Sequence, residues 1–313
     1  LRIFTDIESI GAIPNPVLTI GTFDGVHLGH QKIIDRLNHE AALIGGESVL
    51  FTFYPHPRMV IYPETHGLKL LQTQAEKLEK LDRFGLQNSI VYPFDFEFSR
   101  LSAIEFVRDF LVNKLHVKKL VIGYDHQFGR NREGTIEFLK SIANVYEFEV
   151  IEIPAKEIDE VNVSSTKIRD ALLEGGVSRA AEFLGEHFSL KGKVVSGDKL
   201  GRTIGYPTAN ILIEDDTKLI PANGVYAVSC LHEGVSHMGM MNIGVRPTVT
   251  HSVQLKIEVH LFDFSEDLYG KELEVRFFSR IRDEKKFRGI DELKEQLKQD
   301  EETARVLLLD LVR

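Results

Sequence analysis

Two histidines three residues apart, His27 and His30, close a glycine-rich string, Gly21-Thr22-Phe23-Asp24-Gly25-Val26-His27-Leu28-Gly29-His30-Gln31. An apolar run, Val17 to Ile20, precedes it, and Ile33, Ile34, Leu37, Ala41 and Ile44 follow at helical spacing. A buried strand therefore turns into an amphipathic helix at this point. Such a turn aims backbone N–H groups and the positive end of the helix dipole at whatever lies above it. Gly21, Gly25 and Gly29 let an anion approach without meeting a Cβ, and the histidines share one face of the first helical turn. A second candidate anion site is Val163-Ser164-Ser165-Thr166-Lys167-Ile168-Arg169. Ser164, Ser165 and Thr166 are good N-caps for a helix carrying Ile168, Ala171 and Leu172. Lys167 and Arg169 then sit in its first turn, where the dipole disfavours cations unless a phosphate is bound. A capped surface helix with solvated cations is the plainer reading of the same residues.

Two helix N-termini, two histidines, an arginine and no evident nucleophile suit transfer of a nucleotidyl group. A phosphate monoester is already an anion and attacks the α-phosphorus of ATP without a general base. The site must then supply alignment, worth roughly 7–11 kcal/mol, and well-aimed donors, roughly 3–4 kcal/mol each. A helix dipole alone, at up to about 2 kcal/mol, is too weak. His27 and His30 are accordingly expected to donate to phosphate oxygens, with Arg169 assisting the departing pyrophosphate. Zinc is disfavoured, because a lone i, i+3 histidine pair lacks the further ligands a zinc site needs.

A different chemistry is suggested further along, by Gly197-Asp198-Lys199-Leu200-Gly201-Arg202-Thr203-Ile204-Gly205-Tyr206-Pro207-Thr208-Ala209-Asn210. Gly197, Gly201 and Gly205, with Lys199 and Arg202, make a loop able to close over phosphates, although it is no Walker A loop. Thr208 and Asn210 alternate into a strand and face the same side. Two neutral oxygens there suit one edge of a Mg²⁺ completed by water and ATP phosphates. A plain hairpin connection fits the loop equally well. Phosphorylating an alcohol needs a general base, and Lys256-Ile257-Glu258-Val259-His260-Leu261 offers Glu258 on the polar side of an alternating strand. A solvated strand face is the alternative.

The first string resembles the bacterial bifunctional riboflavin kinase/FMN adenylyltransferases, the FAD synthetases, and contains the His-x-Gly-His signature of the nucleotidyltransferase superfamily. It departs at Thr22, where that family more often carries Asn. Ser164 to Arg169 resembles the superfamily's Ser-Ser-Thr-x-Ile-Arg motif. Phe51 to Arg58 and Gly123-Tyr124-Asp125-His126-Gln127-Phe128-Gly129-Arg130 are similar to the same enzymes. Gly201 to Asn210 is similar to the riboflavin-kinase motif Gly-Arg-x-x-Gly-x-Pro-Thr-Ala-Asn, and the strand of Glu258 to the one holding the kinase's catalytic glutamate. The resemblance spans nearly the whole chain. It implies that ATP phosphorylates riboflavin to FMN and that ATP then adenylylates FMN to FAD. It also implies ATP contacts at Gly21, Asp24, Gly29, Ser164, Ser165 and Thr166. Flavin contacts would fall at His56, Asp125 and Phe128 in the first half and at Arg282 in the second, with Phe287 beside it. Read without the resemblance, Gly123 to Arg130 is equally a polar loop anchored by its Phe, and His56 with Arg58 a solvated one. The competing functions are one working half with a flavin-binding regulatory partner, or a flavin-binding protein without catalysis.

The elements that must position these residues fall into two textures. Strand and helix alternate up to about residue 185, as expected for a Rossmann-like, doubly wound parallel sheet. The unusual strings follow its strands, where such sheets bind ligands. Six short alternating strands follow between Leu190 and Phe278, predicting an antiparallel β-barrel, with a helical tail from Ile290. The boundary is placed at 186/187, so that 1–186 would carry adenylyl transfer and 187–313 the kinase.

Of the 313 residues, 43% are hydrophobic and 27% charged, ordinary for a globular chain. A formal net charge of −9 argues against nucleic acid or an anionic membrane as partner. The single cysteine, Cys230, in a strand pattern, reads as a buried thiol in a reducing compartment. With no long apolar run and no signal-like N-terminus, the expectation is a cytoplasmic monomer or weak oligomer acting on small molecules.

Overall fold

A computed structural model describes residues 1–64, 67–154, 163–197, 200–247 and 253–309. Packing divides the chain into two compact units, Leu1–Ser165 and Thr166–Arg313.

The first unit is built on six parallel strands: β1 (Arg2–Phe4), β2 (Val17–Ile20), β3 (Ser48–Tyr54), β4 (Asn88–Pro93), β5 (Lys119–Gly123) and β6 (Glu149–Ile153). Their order across the sheet is β1-β4-β3-β2-β5-β6, so the chain reverses direction of travel at β2, flanked by β3 and β5. Both faces are covered, which is why these strands read as near-continuous apolar runs. Leu18 and Ile20 join one core with Phe51, Ile90 and Leu120, whereas Val17 joins the opposite core with Ile34, Leu37, Leu50 and Leu81. That alternation follows from the two-residue period of a strand. On the second core lie α1 (Leu28–Leu43) and α3 (Gln74–Arg83), the latter started by a capping box between Thr73 and Glu76. On the first lie α4 (Ala103–Phe106), which continues as a π-helical stretch over Val107–Val112, and α5 (Ile136–Ala143). A short α2 (Pro57–Ile61) follows β3.

The second unit begins inside α6 (Ser165–Leu173), whose first residue belongs to the first unit, and continues with α7 (Val177–Leu184). Then come β7 (Ser189–Val195), α8 (Leu200–Thr203), β8 (Ala209–Leu212), β9 (Gly224–His232), β10 (Val235–Pro247), β11 (Val253–Leu261), β12 (Glu272–Arg282) and α9 (Ile290–Leu309). The six strands close into an antiparallel barrel in the order β10-β11-β8-β7-β12-β9. Its interior holds Tyr226, Cys230, Met241, Val275 and Phe277, and burial pushes the Cys230 thiol up to about 12. Ala304 and Leu308 of α9 pack on Ala227, Met240 and Phe262. The packing boundary comes earlier than 186/187 because α6 and α7 are bonded to the barrel. The Ala222 N–H donates to the Leu172 carbonyl (3.0 Å), and the Ser178 hydroxyl to that of Phe278 (2.8 Å).

Candidate active sites

In the first unit the Gly21–His30 turn leaves the carboxyl end of β2, between β3 and β5, the switch point at which open α/β sheets bind ligands. The Gly21 N–H donates to the Phe51 carbonyl, ending the strand pairing. Gly25 takes φ +88°, a left-handed conformation that carries the chain toward α1. His27 is the N-cap of α1, its Nδ1 accepting the N–H of His30 (3.4 Å). In the neutral ring the proton is thereby left on Nε2. The two imidazoles stack with centroids 3.6 Å apart, and Phe23 stacks on His30 from the other side (4.5 Å). Burial, then the neighbouring His27, Lys80 and Lys77, hold His30 well below its ordinary value. It is therefore a neutral ring at pH 7, with its Nδ1 buried and unpartnered.

Five successive carbonyls of this turn, from Thr22 to Val26, are met by donors from the chain. The Thr22 carbonyl accepts from Lys77 Nζ (3.2 Å) and Thr52 Oγ1 (3.4 Å), and that of Phe23 from the Val26 N–H (3.2 Å). The Asp24 carbonyl accepts from Ser165 Oγ (2.9 Å), Gly25 from Lys80 Nζ (3.1 Å), and Val26 from Gln31 Nε2 (2.9 Å). Both lysines belong to α3 and are buried, 6% and 1% exposed. Burial pushes the Lys77 ammonium down to about 8 against the opposing pull of Asp24. The sequence reading missed this pair. Its signal was two lysines at i, i+3 bordering the apolar stripe of Leu78 and Leu81.

The two predicted anion strings do meet, through the bond from Ser165 to Asp24. The Asp24 side chain is used structurally, its buried carboxylate accepting the Leu71 N–H (2.9 and 3.2 Å). Gly29 is buried in the first turn of α1, and Val163 Cγ1 would lie 3.5 Å from a Cβ there. Ser164 directly precedes α6, Thr166 is exposed in its first turn, and half-buried Arg169 follows one turn on. His56 caps α2, its Nδ1 accepting the Arg58 N–H (3.2 Å). Asp125 is exposed in the loop after β5. Phe128 packs edge-on against Phe106 (5.6 Å) and pairs with Gly134, so it anchors this loop in the core. Burial lowers the neighbouring His126 to about 4.

In the barrel Thr208, Asn210 and Glu258 converge. Asn210 stands opposite Glu258 in the β8–β11 ladder, and Thr208 Oγ1 donates to Glu258 Oε1 (3.4 Å). Lys256 Nζ lies 3.1 Å from the same oxygen. His260 Nδ1 is bonded to the Pro207 carbonyl (2.7 Å), which holds the loop against β11. Gly197 approaches Asn210 so closely that a Cβ would sit 2.0 Å from the side-chain amide. Gly201 would meet the Tyr206 carbonyl in the same way (2.1 Å). Gly205 has φ +89°, and Arg202 lies in α8. Lys199 lies outside the described residues.

Two cavities share Thr208. One, of about 650 Å³, is lined by Thr208, Glu258, Arg282 and Phe287 together with Leu293 and Leu297 of α9. The other, of about 420 Å³, is lined by Arg202, Thr208 and the Phe264–Tyr269 segment. The two cavities thus adjoin at Thr208, whose hydroxyl is bonded to Glu258 in the wall of the larger. Arg282 lines the larger cavity with its guanidinium already engaged, paired in two places with buried Asp300 (2.7 and 2.9 Å). Among the described residues no cluster of three or more His, Cys, Asp or Glu could hold a metal. A magnesium ion does not require one, since it takes few protein oxygens and completes its shell with water and phosphate. Thr208 Oγ1 and the Asn210 amide oxygen, beside a carboxylate, are oxygen donors of the right hardness.

A family model described as FAD synthetase matches residues 11–167, and one described as riboflavin kinase matches 184–308. The chain is 39% identical over 297 residues to the bifunctional riboflavin kinase/FMN adenylyltransferase of Listeria monocytogenes, across 95% of this chain and 94% of that protein. With the Escherichia coli K12 protein of the same name it shares 37% over 308 residues, 97% of each. A crystal structure described as a macrolide-efflux protein from Streptococcus pneumoniae superposes with a TM-score of 0.88 at 35% identity, over 97% of this chain and 98% of that one. Among the described residues no helix is long and apolar enough to cross a membrane. With both halves matched in order and relatives aligned nearly end to end, the chain belongs to the bifunctional riboflavin kinase/FMN adenylyltransferase family.

Proposed function

We propose that this chain makes FAD in two ATP-dependent steps, phosphorylating riboflavin in the barrel and adenylylating the resulting FMN on the parallel sheet. The observation that carries this reading is that one chain holds two chemically unlike sites. The one in the barrel places a carboxylate, Glu258, in a cavity wall, bonded to the Thr208 that a second cavity shares. Riboflavin presents an alcohol, which must lose a proton as it attacks. FMN presents a phosphate, which needs none removed.

In the barrel the larger cavity takes the flavin, with its ribityl hydroxyl directed at Glu258, and the smaller takes ATP. Glu258 accepts the hydroxyl proton while the oxygen attacks the γ-phosphorus and ADP leaves. Gly197, Lys199, Gly201, Arg202 and Gly205 cover the phosphates, and Thr208 and Asn210 would hold Mg²⁺. When bound, that ion neutralises charge on the transferring phosphoryl group. Arg282 contributes through its pairing with Asp300, which fixes one wall of the flavin cavity. On the sheet, the FMN phosphate attacks the α-phosphorus of ATP and pyrophosphate departs. His27 and His30 donate to the phosphate oxygens. Gly21, Gly29, Ser164, Ser165 and Thr166 present their part of the backbone and hydroxyl cradle, and Arg169 receives the leaving group. Asp24 acts by fixing the turn through Leu71. His56, Asp125 and Phe128 belong to loops bordering the flavin, with Phe128 as anchor. Residues 1–186 carry this step and 187–313 the other, in a cytoplasmic monomer or weak oligomer that binds no nucleic acid.

The test is to incubate the protein with riboflavin, ATP and Mg²⁺ and resolve the flavins by chromatography. FMN followed by FAD is expected. Absence of both products contradicts the reading, and FMN alone or FAD only from added FMN reduces it to one working half.

A further inference from the structure

We propose that Lys77 and Lys80 form a buried cationic floor under the Gly21–His30 turn, acting as positioning residues that favour polyphosphate in the adenylyl site. The inference rests on the adenylyl-transfer reading and extends it to two residues outside every motif that led to it.

The turn itself supplies the contrast. Its Asp24 and Val26 carbonyls are satisfied by neutral donors, Ser165 Oγ and Gln31 Nε2. The Thr22 and Gly25 carbonyls, a few residues away, are satisfied by ammonium groups. A carbonyl asks only for a donor, and burying a cation to provide one is far costlier than burying an amide or hydroxyl. Thr52 Oγ1 already reaches the Thr22 carbonyl, and Lys77 also donates to Thr52 Oγ1 (3.2 Å). Hydrogen bonding at Thr22 therefore does not require a charge. The Asp24 carboxylate offsets Lys77 in part while also accepting the Leu71 N–H. Both lysines reach the turn from α3, and both hold down carbonyls whose dipoles would repel phosphate. The floor thus adds positive potential and removes negative ends in a single arrangement. Burial and the neighbouring His27 do most to disfavour protonation of His30, and Lys80 and Lys77 add to it, so the imidazole stays neutral beside the two ammonium groups.

The experiment uses the full chain and the variants Lys77→Gln and Lys80→Gln, which keep a donor for each carbonyl and remove the charge. Adenylylation of FMN, the KM for ATP in that reaction and inhibition by pyrophosphate are measured, with riboflavin phosphorylation as the internal control. For each variant the expected result is a loss of about 100-fold in kcat/KM for ATP, the range of one lost electrostatic donor. Inhibition by pyrophosphate should weaken in parallel, the His30 imidazole should titrate at higher pH by NMR, and phosphorylation should be unchanged. Lys77→Arg should recover most of the loss. Glutamine variants with wild-type ATP and pyrophosphate affinities would overturn the proposal, whatever their melting temperature. If a glutamine variant does not fold, the arginine variants decide, since retained charge must keep pyrophosphate inhibition within about tenfold of wild type. A wild-type protein that makes no FAD from FMN would defeat the adenylyl-transfer reading itself, and is distinguishable from failure of the variants alone.

Discussion

The two sites of this chain handle phosphate with opposite equipment. On the sheet, the turn after β2 gathers a helix N-terminus, two stacked histidines and two buried lysines, and its one carboxylate, Asp24, is tied to the Leu71 N–H. In the barrel a carboxylate, Glu258, lines the larger cavity and is bonded to Thr208, with Lys256 beside it. The difference follows from the nucleophile. A phosphate attacking a phosphate brings only negative charge to be balanced, whereas an alcohol must also lose a proton. The same chain therefore teaches that the protonation state of the attacking oxygen, more than the shared use of ATP, decides what a phosphate site is lined with.

Breaking that contrast from the barrel side should give the largest effect. Glu258→Ala is expected to slow riboflavin phosphorylation by about 10³–10⁴-fold, the upper range for a general base, and to leave FMN adenylylation within twofold. Steady-state assays on riboflavin and on FMN as separate substrates check both halves. From the other side, His30→Ala should cost adenylylation about 10²–10³-fold with phosphorylation intact, seen as FMN accumulating without FAD. Asp300→Ala strands Arg282 in a largely buried setting and should destabilise the barrel by about 3 kcal/mol, read in the denaturant midpoint of that unit.

Acid sharpens the comparison further. His126 falls to about 4 and His30 well below its ordinary value, in both cases mainly through burial. Because the folded state resists their protonation, the unfolded chain binds more protons as pH drops below about 6.5, and stability is lost from there down to about 4. His126 alone accounts for up to about 3 kcal/mol. The barrel's His187, also lowered by burial, acts in the same direction. Melting curves between pH 7 and 4 should show the sheet unit weakening as His126 and His30 charge. The smallest effect concerns the helix that bears the lysines. Thr73→Ala removes its capping box and should cost about 1 kcal/mol, visible as a lower melting temperature with modest loss of adenylylation.

Most of the architecture was legible because it is written in periods. Five of the six sheet strands and all six barrel strands stand out as apolar or alternating runs, and the glycine strings fall after them. β1 was missed, since three residues, Arg2–Phe4, are too few to show a period. Ile104, Val107 and Leu111 stand at helical spacing, and they lie on α4 and the π-helical stretch over Val107–Val112 that continues it. Side-chain roles were harder. Asp24 beside a glycine turn reads as a ligand contact, yet its partner, Leu71, is distant in sequence and revealed only by folding. Phe128 reads equally as a stacking platform or an anchor, and its packing on Phe106 makes it the anchor. Lys77 and Lys80 look like solvated helix residues, since their i, i+3 spacing beside the apolar stripe is a weak signal that solvated lysines flanking a core face share.

Two separate nucleotide sites, only one of them with a base, is the claim on which the rest depends. Titrating the full chain with a non-hydrolysable ATP analogue and Mg²⁺ in a calorimeter tests it most directly. Two analogue molecules per chain are predicted, with Lys77→Gln weakening one and leaving the other untouched. A single molecule per chain would contradict it.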